Sequence, residues 1–191
     1  MTRIIAGFAG SLTLGVPKTG TRPTSDRVRE ALFSSLESRD GVFGARVVDL
    51  YAGTGALGLE AASRGASHVT LVEKVASAAR VARGNAGLVL ARAAAGTGPA
   101  PVIEVAVQPV RTFLAQAAVG VDLVFVDPPY ELSGDDLAGD LAGVARILGP
   151  GGLLIVERAA RTGEPAWPDG ITLDMKKSYG DTVLWWGRAG D

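Results

Sequence analysis

Along most of this chain, short apolar runs alternate with longer stretches in which small or apolar residues recur at helical spacing. Runs this short, closed by an acid or bounded by turn residues, are typical of buried strands. They predict strands at 47–50, 69–73, 102–107, 123–126, 153–157, 171–176 and 182–186. The stretches between the first five runs predict helices at 57–64, 75–90, 110–118 and 136–148.

Regular alternation of strand and helix from residue 46 onward is typical of one architecture. Successive strand–helix–strand units with right-handed crossovers build a doubly wound parallel sheet with helices on both faces. A hydrophobic content of 47% and 26 glycines agree with strands that are covered on both sides. The sequence therefore predicts an α/β, Rossmann-like domain, with a mobile Gly-rich loop at 91–101 and a closing strand pair joined around Gly180.

The first part of the chain has a different pattern. Apolar residues at 3–8 and 12–14, separated by a Gly/Ser turn, predict a short hairpin. A linker rich in Pro, Gly and Thr comes next at 17–23, and a helix capped by Thr24 or Ser25 is predicted to begin near Asp26. We therefore divide the chain into an N-terminal hairpin and arm, 1–23, and a main domain, 24–191.

The composition excludes several kinds of chemistry. The chain has no cysteine and a single histidine, His68, so cysteine nucleophiles, disulfides and histidine-cluster metal sites are absent. His68 precedes a predicted strand, and we expect it to be structural. No apolar run reaches the roughly 18 to 20 residues of a membrane span, and the N-terminus lacks a signal-like apolar core. We expect a soluble, cytosolic, monomeric protein without a metal.

Charge is balanced overall but uneven along the chain. The net charge is −1, yet residues 1–30 carry five basic and two acidic side chains. A local positive excess can contact the phosphates of a nucleic acid, with ordinary solvated charge as the alternative. The basic residues of this segment are Arg3, Lys18, Arg22, Arg27 and Arg29.

A glycine turn marks a candidate cofactor site. Gly53, Thr54 and Gly55 follow a predicted buried strand and precede a helix, where a tight turn and close approach of backbone to ligand favour glycine. Glu73 ends the next strand, 18 residues after Gly55, and can accept hydrogen bonds from both hydroxyls of a ribose. The residues flanking these positions complete the candidate site, namely Tyr51, Ala52 and Lys74.

The spacing G-x-G-x-x-G at 53–58 also matches dinucleotide sites, so NAD is the competing cofactor. Asp49, four residues before Gly53, places a negative charge near the ligand, which suits a sulfonium cation and an amino group better than a pyrophosphate. The chain also lacks a second domain with a proton-relay histidine. These features favour S-adenosyl-L-methionine. Gln108, followed by Pro109, can bond an adenine edge or can be an ordinary loop residue.

Asp127, Pro128, Pro129 and Tyr130 end another predicted strand and supply the candidate chemistry. An aromatic exocyclic amine is a poor nucleophile, and its methylation needs positioning together with acceptors for its N–H bonds. The Asp127 carboxylate and a rigidly held Pro128 carbonyl supply acceptors, while the ring of Tyr130 can stack on a base. Without such chemistry, the motif is only a strand-ending turn. Together with the glycine turn, it predicts methyl transfer to a nucleobase amine.

The same motif bears on whether guanine or adenine accepts the methyl group. Guanine presents N1–H and its N2 amine as adjacent donors, which an acceptor-only carboxylate such as Asp127 matches. Adenine has an acceptor beside its amine, although an acid can still bond that amine alone. The motif therefore favours guanine. The base must be unstacked to react, which is less costly in a loop than in a duplex.

With these residues in view, the chain resembles the RsmD family of bacterial 16S rRNA guanine-N2 methyltransferases. The features that match are the segment 3–7, the segment 21–33 that begins with the block T-R-P-T-S-D-R-V-R-E, the turn 49–58, the strand end 71–73 and the motif 127–130. The resemblance implies a seven-stranded class I adenosylmethionine-dependent fold with a small N-terminal extension that engages RNA. It also implies the small ribosomal subunit, or its assembly intermediate, as partner. Gln108 departs from the acid common in the family, which bears on the adenine contact.

Two other interpretations remain open. The chain could be a DNA or RNA adenine-N6 methyltransferase, since those enzymes share both strand-end motifs. It could also be a non-catalytic RNA-binding assembly factor that keeps the fold. Arg22, Arg27 and Arg29 could contact phosphates or hold the segment 21–26 over the cofactor, and Arg27 could instead pair with Glu30.

Overall fold

A computed structural model describes residues 2–16 and 25–190 of the chain. Its helices are α1 (Asp26–Glu37), α2 (Ala56–Ser63), α3 (Ala76–Ala94), α4 (Val110–Gln116) and α5 (Gly134–Ile147), with a 3₁₀ turn at Ala160–Thr162. Its strands are β1 (Thr2–Arg3), β2 (Thr13–Leu14), β3 (Arg46–Leu50), β4 (His68–Val72), β5 (Val102–Ala106), β6 (Val121–Val126), β7 (Leu148–Ala159), β8 (Ile171–Tyr179) and β9 (Thr182–Ala189). No helix within these two described ranges is long and apolar enough to cross a membrane.

The main sheet has seven strands in the order β5-β4-β3-β6-β7-β9-β8. Strands β5, β4, β3, β6 and β7 are parallel, whereas β9 is antiparallel to both β7 and β8. In chain order, β4 and β5 are therefore added on one side of β3, and the chain then returns to place β6 on the other side of β3. That reversal opens a crevice above the carboxyl ends of β3 and β6, where ligands of such sheets bind.

Side-chain alternation along the strands produces a core on each face of the sheet. Leu123 and Phe125 of β6 pack into the cluster that contains α1 and α2, whereas Val124 and Val126 pack with α4 and α5. Trp186 of β9 is fully buried in the first cluster. Both faces are thus covered, which confirms the doubly wound α/β prediction.

Helix α1 begins where the sequence predicts it. The Ser25 hydroxyl oxygen accepts a hydrogen bond from the backbone N–H of Val28 at 3.3 Å, so Ser25 is the cap of the two candidates. Leu32, Phe33 and Leu36 form its buried face. The linker predicted at 17–23, just before this helix, lies outside the described residues.

Two expectations about local structure need correction. Helix α3 continues to Ala94, so part of the loop expected at 91–101 is helical, because Val89 and Ala93 extend its buried stripe. Strand β7 begins at Leu148, where the sequence predicts the end of a helix, and pairs with Val121 of β6 before a register shift. His68, the first residue of β4, is exposed, and its Nδ1 lies 3.1 Å from Ser67 Oγ.

Candidate active site

The carboxyl ends of β3, β4, β6 and β7 lie along one edge of the sheet because these strands are parallel and in register. The glycine turn follows β3, Glu73 follows β4, and Asp127 follows β6. Residues that are far apart in the sequence therefore meet around the crevice predicted from the strand order.

A left-handed backbone shapes the turn after β3. Tyr51, Gly53 and Gly55 have φ values of 60°, 55° and 80°. A Cβ atom added to Gly55 would lie 2.7 Å from Leu71 Cδ1, so a side chain there would meet both backbone strain and a clash with β4. The turn closes with a 2.7 Å hydrogen bond from the Gly55 N–H to the Ala52 carbonyl. Its backbone is thus held tightly at the mouth of the crevice.

Glu73 is tied to that turn. One carboxylate oxygen accepts from the backbone N–H of Gly53 at 3.0 Å, and the other accepts from the N–H of Val75 at 2.7 Å. Each oxygen has a second lone pair, so these bonds leave acceptor capacity for ribose hydroxyls. Lys74 beside it is exposed. Glu73 therefore ties the end of β4 to the glycine turn and retains capacity to accept further hydrogen bonds.

Asp49, the residue before the last of β3, is buried. Its side chain is 1% exposed, and its Oδ2 accepts from the Gly58 N–H at 2.9 Å. Burial raises the pKa of Asp49 to about 7; the Gly58 hydrogen bond opposes this shift and the Glu73 charge adds to it. Asp49 therefore lies beneath the glycine turn and holds the first turn of α2, which follows it.

Tyr51 is held by its hydroxyl, which donates to Asp140 of α5. Burial, followed by the bond to Asp140, raises the pKa of Tyr51 above its usual range. The side chain therefore links the turn to α5. Gln108 is half-buried in the connection after β5, and Pro109 is the residue before α4, on the β4 side of the crevice.

Asp127, Pro128, Pro129 and Tyr130 line one side of a small cleft that is open to the surface. Asp127 and Pro128 are half-buried, whereas Pro129 is exposed and Tyr130 is 68% exposed. The Pro129 carbonyl accepts from the Leu132 N–H at 3.0 Å, which fixes the exit of the motif. A carboxylate, a rigid backbone and an accessible aromatic ring thus border one space.

The opposite wall was not predicted from the sequence. It comes from the end of β7, the 3₁₀ turn and the start of β9, and it includes Glu157, Arg158, Thr162 and Thr182. Because Val126 of β6 pairs with Val156 of β7, Asp127 at the end of β6 and Glu157 within β7 follow paired residues of neighbouring strands. The sequence does carry a signal for Glu157. It is the acid that closes the predicted strand 153–157, and acids close the other site-forming strands as well.

The basic N-terminal residues separate into two groups. Arg3 is 61% exposed and lies 3.7 Å from Asp26, and Arg27 is exposed. Arg29 is fully buried: it donates to the Arg3 carbonyl and to Asp26, and its Nε lies 3.9 Å from Glu60. The expected phosphate contact by Arg29 is therefore wrong, because its guanidinium is buried inside the fold beside Asp26 and Glu60. Lys18 and Arg22 lie outside the described residues.

Comparison with known proteins places this geometry in a family. A family model described as Conserved hypothetical protein 95 matches residues 2–188. The Escherichia coli K12 protein named Ribosomal RNA small subunit methyltransferase D is 35% identical over 190 residues, covering 95% of this chain and 86% of the relative. The chain belongs to the RsmD methyltransferase family.

Solved structures agree with the RsmD assignment. The candidate methyltransferase yhhF from Escherichia coli superposes with a TM-score of 0.82 at 31% identity, covering 99% of this chain and 98% of that one. A hypothetical protein of Thermus thermophilus has a TM-score of 0.78 at 32% identity, with 97% and 98% covered. The recognised family, the class I adenosylmethionine-dependent fold with its N-terminal hairpin sheet, and S-adenosyl-L-methionine as cofactor are thereby confirmed.

Proposed function

We propose that this protein transfers the methyl group of S-adenosyl-L-methionine to the exocyclic N2 of a guanine in small-subunit ribosomal RNA. One observation carries the proposal: Asp127 and Glu157, which follow paired residues of the neighbouring strands β6 and β7, line the same open cleft. The proposal is supported further by 35% identity to relatives named for small-subunit ribosomal RNA methylation.

The residues around the crevice fit the cofactor. The backbone of Gly53 to Gly55 can approach the methionyl part closely, because a Cβ at Gly55 would have no room. Glu73 retains acceptor capacity for the ribose hydroxyls, and Gln108 with Pro109 lies on the side at which the adenine would sit. Asp49 would supply part of a negative charge near a bound sulfonium, since burial raises its pKa to about 7. When bound, the cofactor supplies an electrophilic methyl group.

The chain's own residues would hold the acceptor. The Asp127 carboxylate accepts an N–H of the attacking amine and stabilises the positive charge that develops there. Pro128 keeps its carbonyl fixed as a second acceptor, and the exposed ring of Tyr130 stacks on the base. The proton can leave after the methyl arrives, so no base with a shifted pKa is needed.

Guanine suits this cleft better than adenine does. Its N1–H and N2 amine are adjacent donors, and two carboxylates on neighbouring strands that line one cleft can accept from both. Adenine presents an unprotonated N1 at the same edge, which would face a carboxylate without a hydrogen between them. Glu157 is therefore assigned to selection of the base, and Asp127 to the reacting amine.

RNA would reach the cleft past the N-terminal hairpin. Arg3 and Arg27 are exposed there, and Lys18 and Arg22 belong to the same basic segment of the sequence. Contacts to phosphates position an RNA without reading its sequence, so selection of the nucleotide rests on the cleft. We assign partner recognition to these four residues and leave the buried Arg29 out.

The test uses small subunits from cells that lack this protein, incubated with purified protein and methyl-labelled cofactor. After nuclease digestion, chromatography should find the label in N2-methylguanosine, and mass spectrometry should map it to one nucleotide. Asp127→Asn, which keeps the shape but loses the charge, is the matched control. Label in N6-methyladenosine would overturn the base assignment, and absence of label at saturating cofactor would leave a non-catalytic assembly factor. Free 16S rRNA run in parallel distinguishes an RNA substrate from an assembled particle.

A further inference from the structure

The side chain of Asn85, in the middle of α3, bridges two parts of the molecule that have separate roles in the proposed function. Its Oδ1 accepts from the Gly15 N–H at 2.7 Å, and its Nδ2 donates to the Gly15 carbonyl at 3.0 Å. Nδ2 also donates its second hydrogen to the Thr54 carbonyl, at 2.9 Å. Asn85 is 2% exposed, so this amide is buried and both of its donors are used.

Gly15 is the residue at which the N-terminal hairpin leaves the sheet formed by β1 and β2. Its approach to α3 is close: a Cβ there would lie 3.3 Å from Asn85 Oδ1. The paired bonds to Gly15 reproduce the hydrogen bonding of a neighbouring strand, with a side-chain amide in place of a peptide group. The hairpin end is therefore fixed in position and not merely packed.

Thr54 is the middle residue of the glycine turn, and its own side chain is buried. The carbonyl that Asn85 contacts thus belongs to the backbone that would surround the cofactor. A change in the turn on cofactor binding would reach Gly15 through a single buried side chain.

The far end of the hairpin is anchored separately, on α2. Glu60 accepts from the N–H groups of Ile5 and Ala6 at 2.7 and 3.0 Å, and Ser63 Oγ accepts from the Ala9 N–H at 3.0 Å. A Cβ on Gly7 would lie 1.8 Å from the Ser63 carbonyl oxygen, so this contact admits only glycine. These anchors hold the hairpin without touching the glycine turn.

We propose that Asn85 is a positioning residue that couples cofactor binding at the glycine turn to RNA binding by the hairpin that carries Arg3. The inference rests on the proposed function, because it needs both ligands. A cofactor that stabilises one arrangement of the turn fixes the Thr54 carbonyl, which fixes the Asn85 amide and the hairpin end. Each ligand then strengthens the binding of the other by the same factor.

The experiment measures this factor directly. Affinity for 16S rRNA transcript is measured by filter binding with and without S-adenosylhomocysteine, which occupies the cofactor site without reacting. We expect the wild-type protein to bind RNA about 5- to 150-fold more tightly with the nucleoside present. In Asn85→Leu, which keeps the volume but removes all three bonds, the ratio should fall to one. Asn85→Asp keeps an acceptor for Gly15 but loses both donors, and should behave in the same way.

Ser63→Ala is the matched control, since it loosens the same hairpin through bonds that do not reach Thr54. It should lower RNA affinity with and without nucleoside while leaving the ratio as in wild type. Gly15→Pro removes one N–H of the bridge from the hairpin side and tests the same prediction if Asn85 variants fold poorly.

A wild-type ratio of one, an unchanged ratio in the folded Asn85 and Gly15 variants, or an equal loss in Ser63→Ala would each overturn the coupling. The proposed function fails by a different result, the absence of N2-methylguanosine from the product, because the coupling is measured without chemistry. A protein that binds neither RNA nor nucleoside would refute both.

Discussion

The pH dependence of stability gives a quantitative test of how Asp49 is held beneath the glycine turn. Burial raises its pKa from 3.8 to about 7 in the folded protein. Between about pH 4 and 7 the unfolded chain has released this proton while the folded protein retains it, so the folded state binds more protons and stability falls as pH rises. Above pH 7 the effect is complete. A shift of about three pKa units corresponds to roughly 4 kcal/mol.

Asn in place of Asp49 keeps an oxygen acceptor for the Gly58 N–H and cannot ionise. Its unpaired N–H₂ costs about 1 to 3 kcal/mol, which does not vary with pH. Asp49→Asn should therefore be the less stable protein at pH 4.5 and should gain on wild type by several kcal/mol towards pH 8. Urea unfolding of both proteins at each pH gives the difference, in which the titration of groups that do not interact with Asp49 cancels. A difference that stays constant from pH 4.5 to 8 would refute a protonated, buried Asp49.

Three further predictions concern single side chains. Asp127→Asn should lower kcat by orders of magnitude and leave cofactor affinity nearly unchanged in calorimetry, because the residue acts on the acceptor; a matching loss of cofactor affinity would contradict that role. Glu157→Gln should lower the preference for guanine over adenine in the nucleoside assay by about 1 to 3 kcal/mol, whereas an unchanged preference would remove it from base selection. Arg29→Met should cost about 1 to 3 kcal/mol in urea unfolding because it removes the donor to the Arg3 carbonyl and leaves Arg64 as the arginine paired with buried Glu60, while Arg27→Ala should leave stability nearly unchanged and reduce the salt dependence of RNA binding. Equal stability losses in these two arginine variants would contradict the distinction between them.

Local chemistry explains why much of this site could be predicted. A tight strand-to-helix turn requires a left-handed backbone and close contacts, which together only glycine tolerates. The glycine at position 55 therefore predicts the turn that the structure shows. The acceptor-rich motif is contained in four consecutive residues, Asp127 and the two prolines and the tyrosine that follow it, so it can be found in the sequence alone. Strand periodicity then places both motifs at the same edge of a parallel sheet.

Burial and contacts between distant residues could not be predicted in this way. Arg29 carries the same charge in the sequence as its exposed neighbour Arg27, and only the packing of α1 against the hairpin and α2 encloses it with Glu60. Asn85 is one polar residue in an alanine-rich helix, with no sequence signal for a bridge to Gly15 and Thr54.

The sequence by itself determined the order of strands and helices, the glycine turn and the acceptor motif, because each depends on residues a few positions apart. Only the tertiary structure decided that Glu157 joins Asp127 at one cleft, that Asp49 supports the turn from beneath, and that Asn85 joins the hairpin to it. The physical reason is that strand pairing and packing bring these residues together over long separations along the chain. Burial then changes what a charged or polar side chain can do.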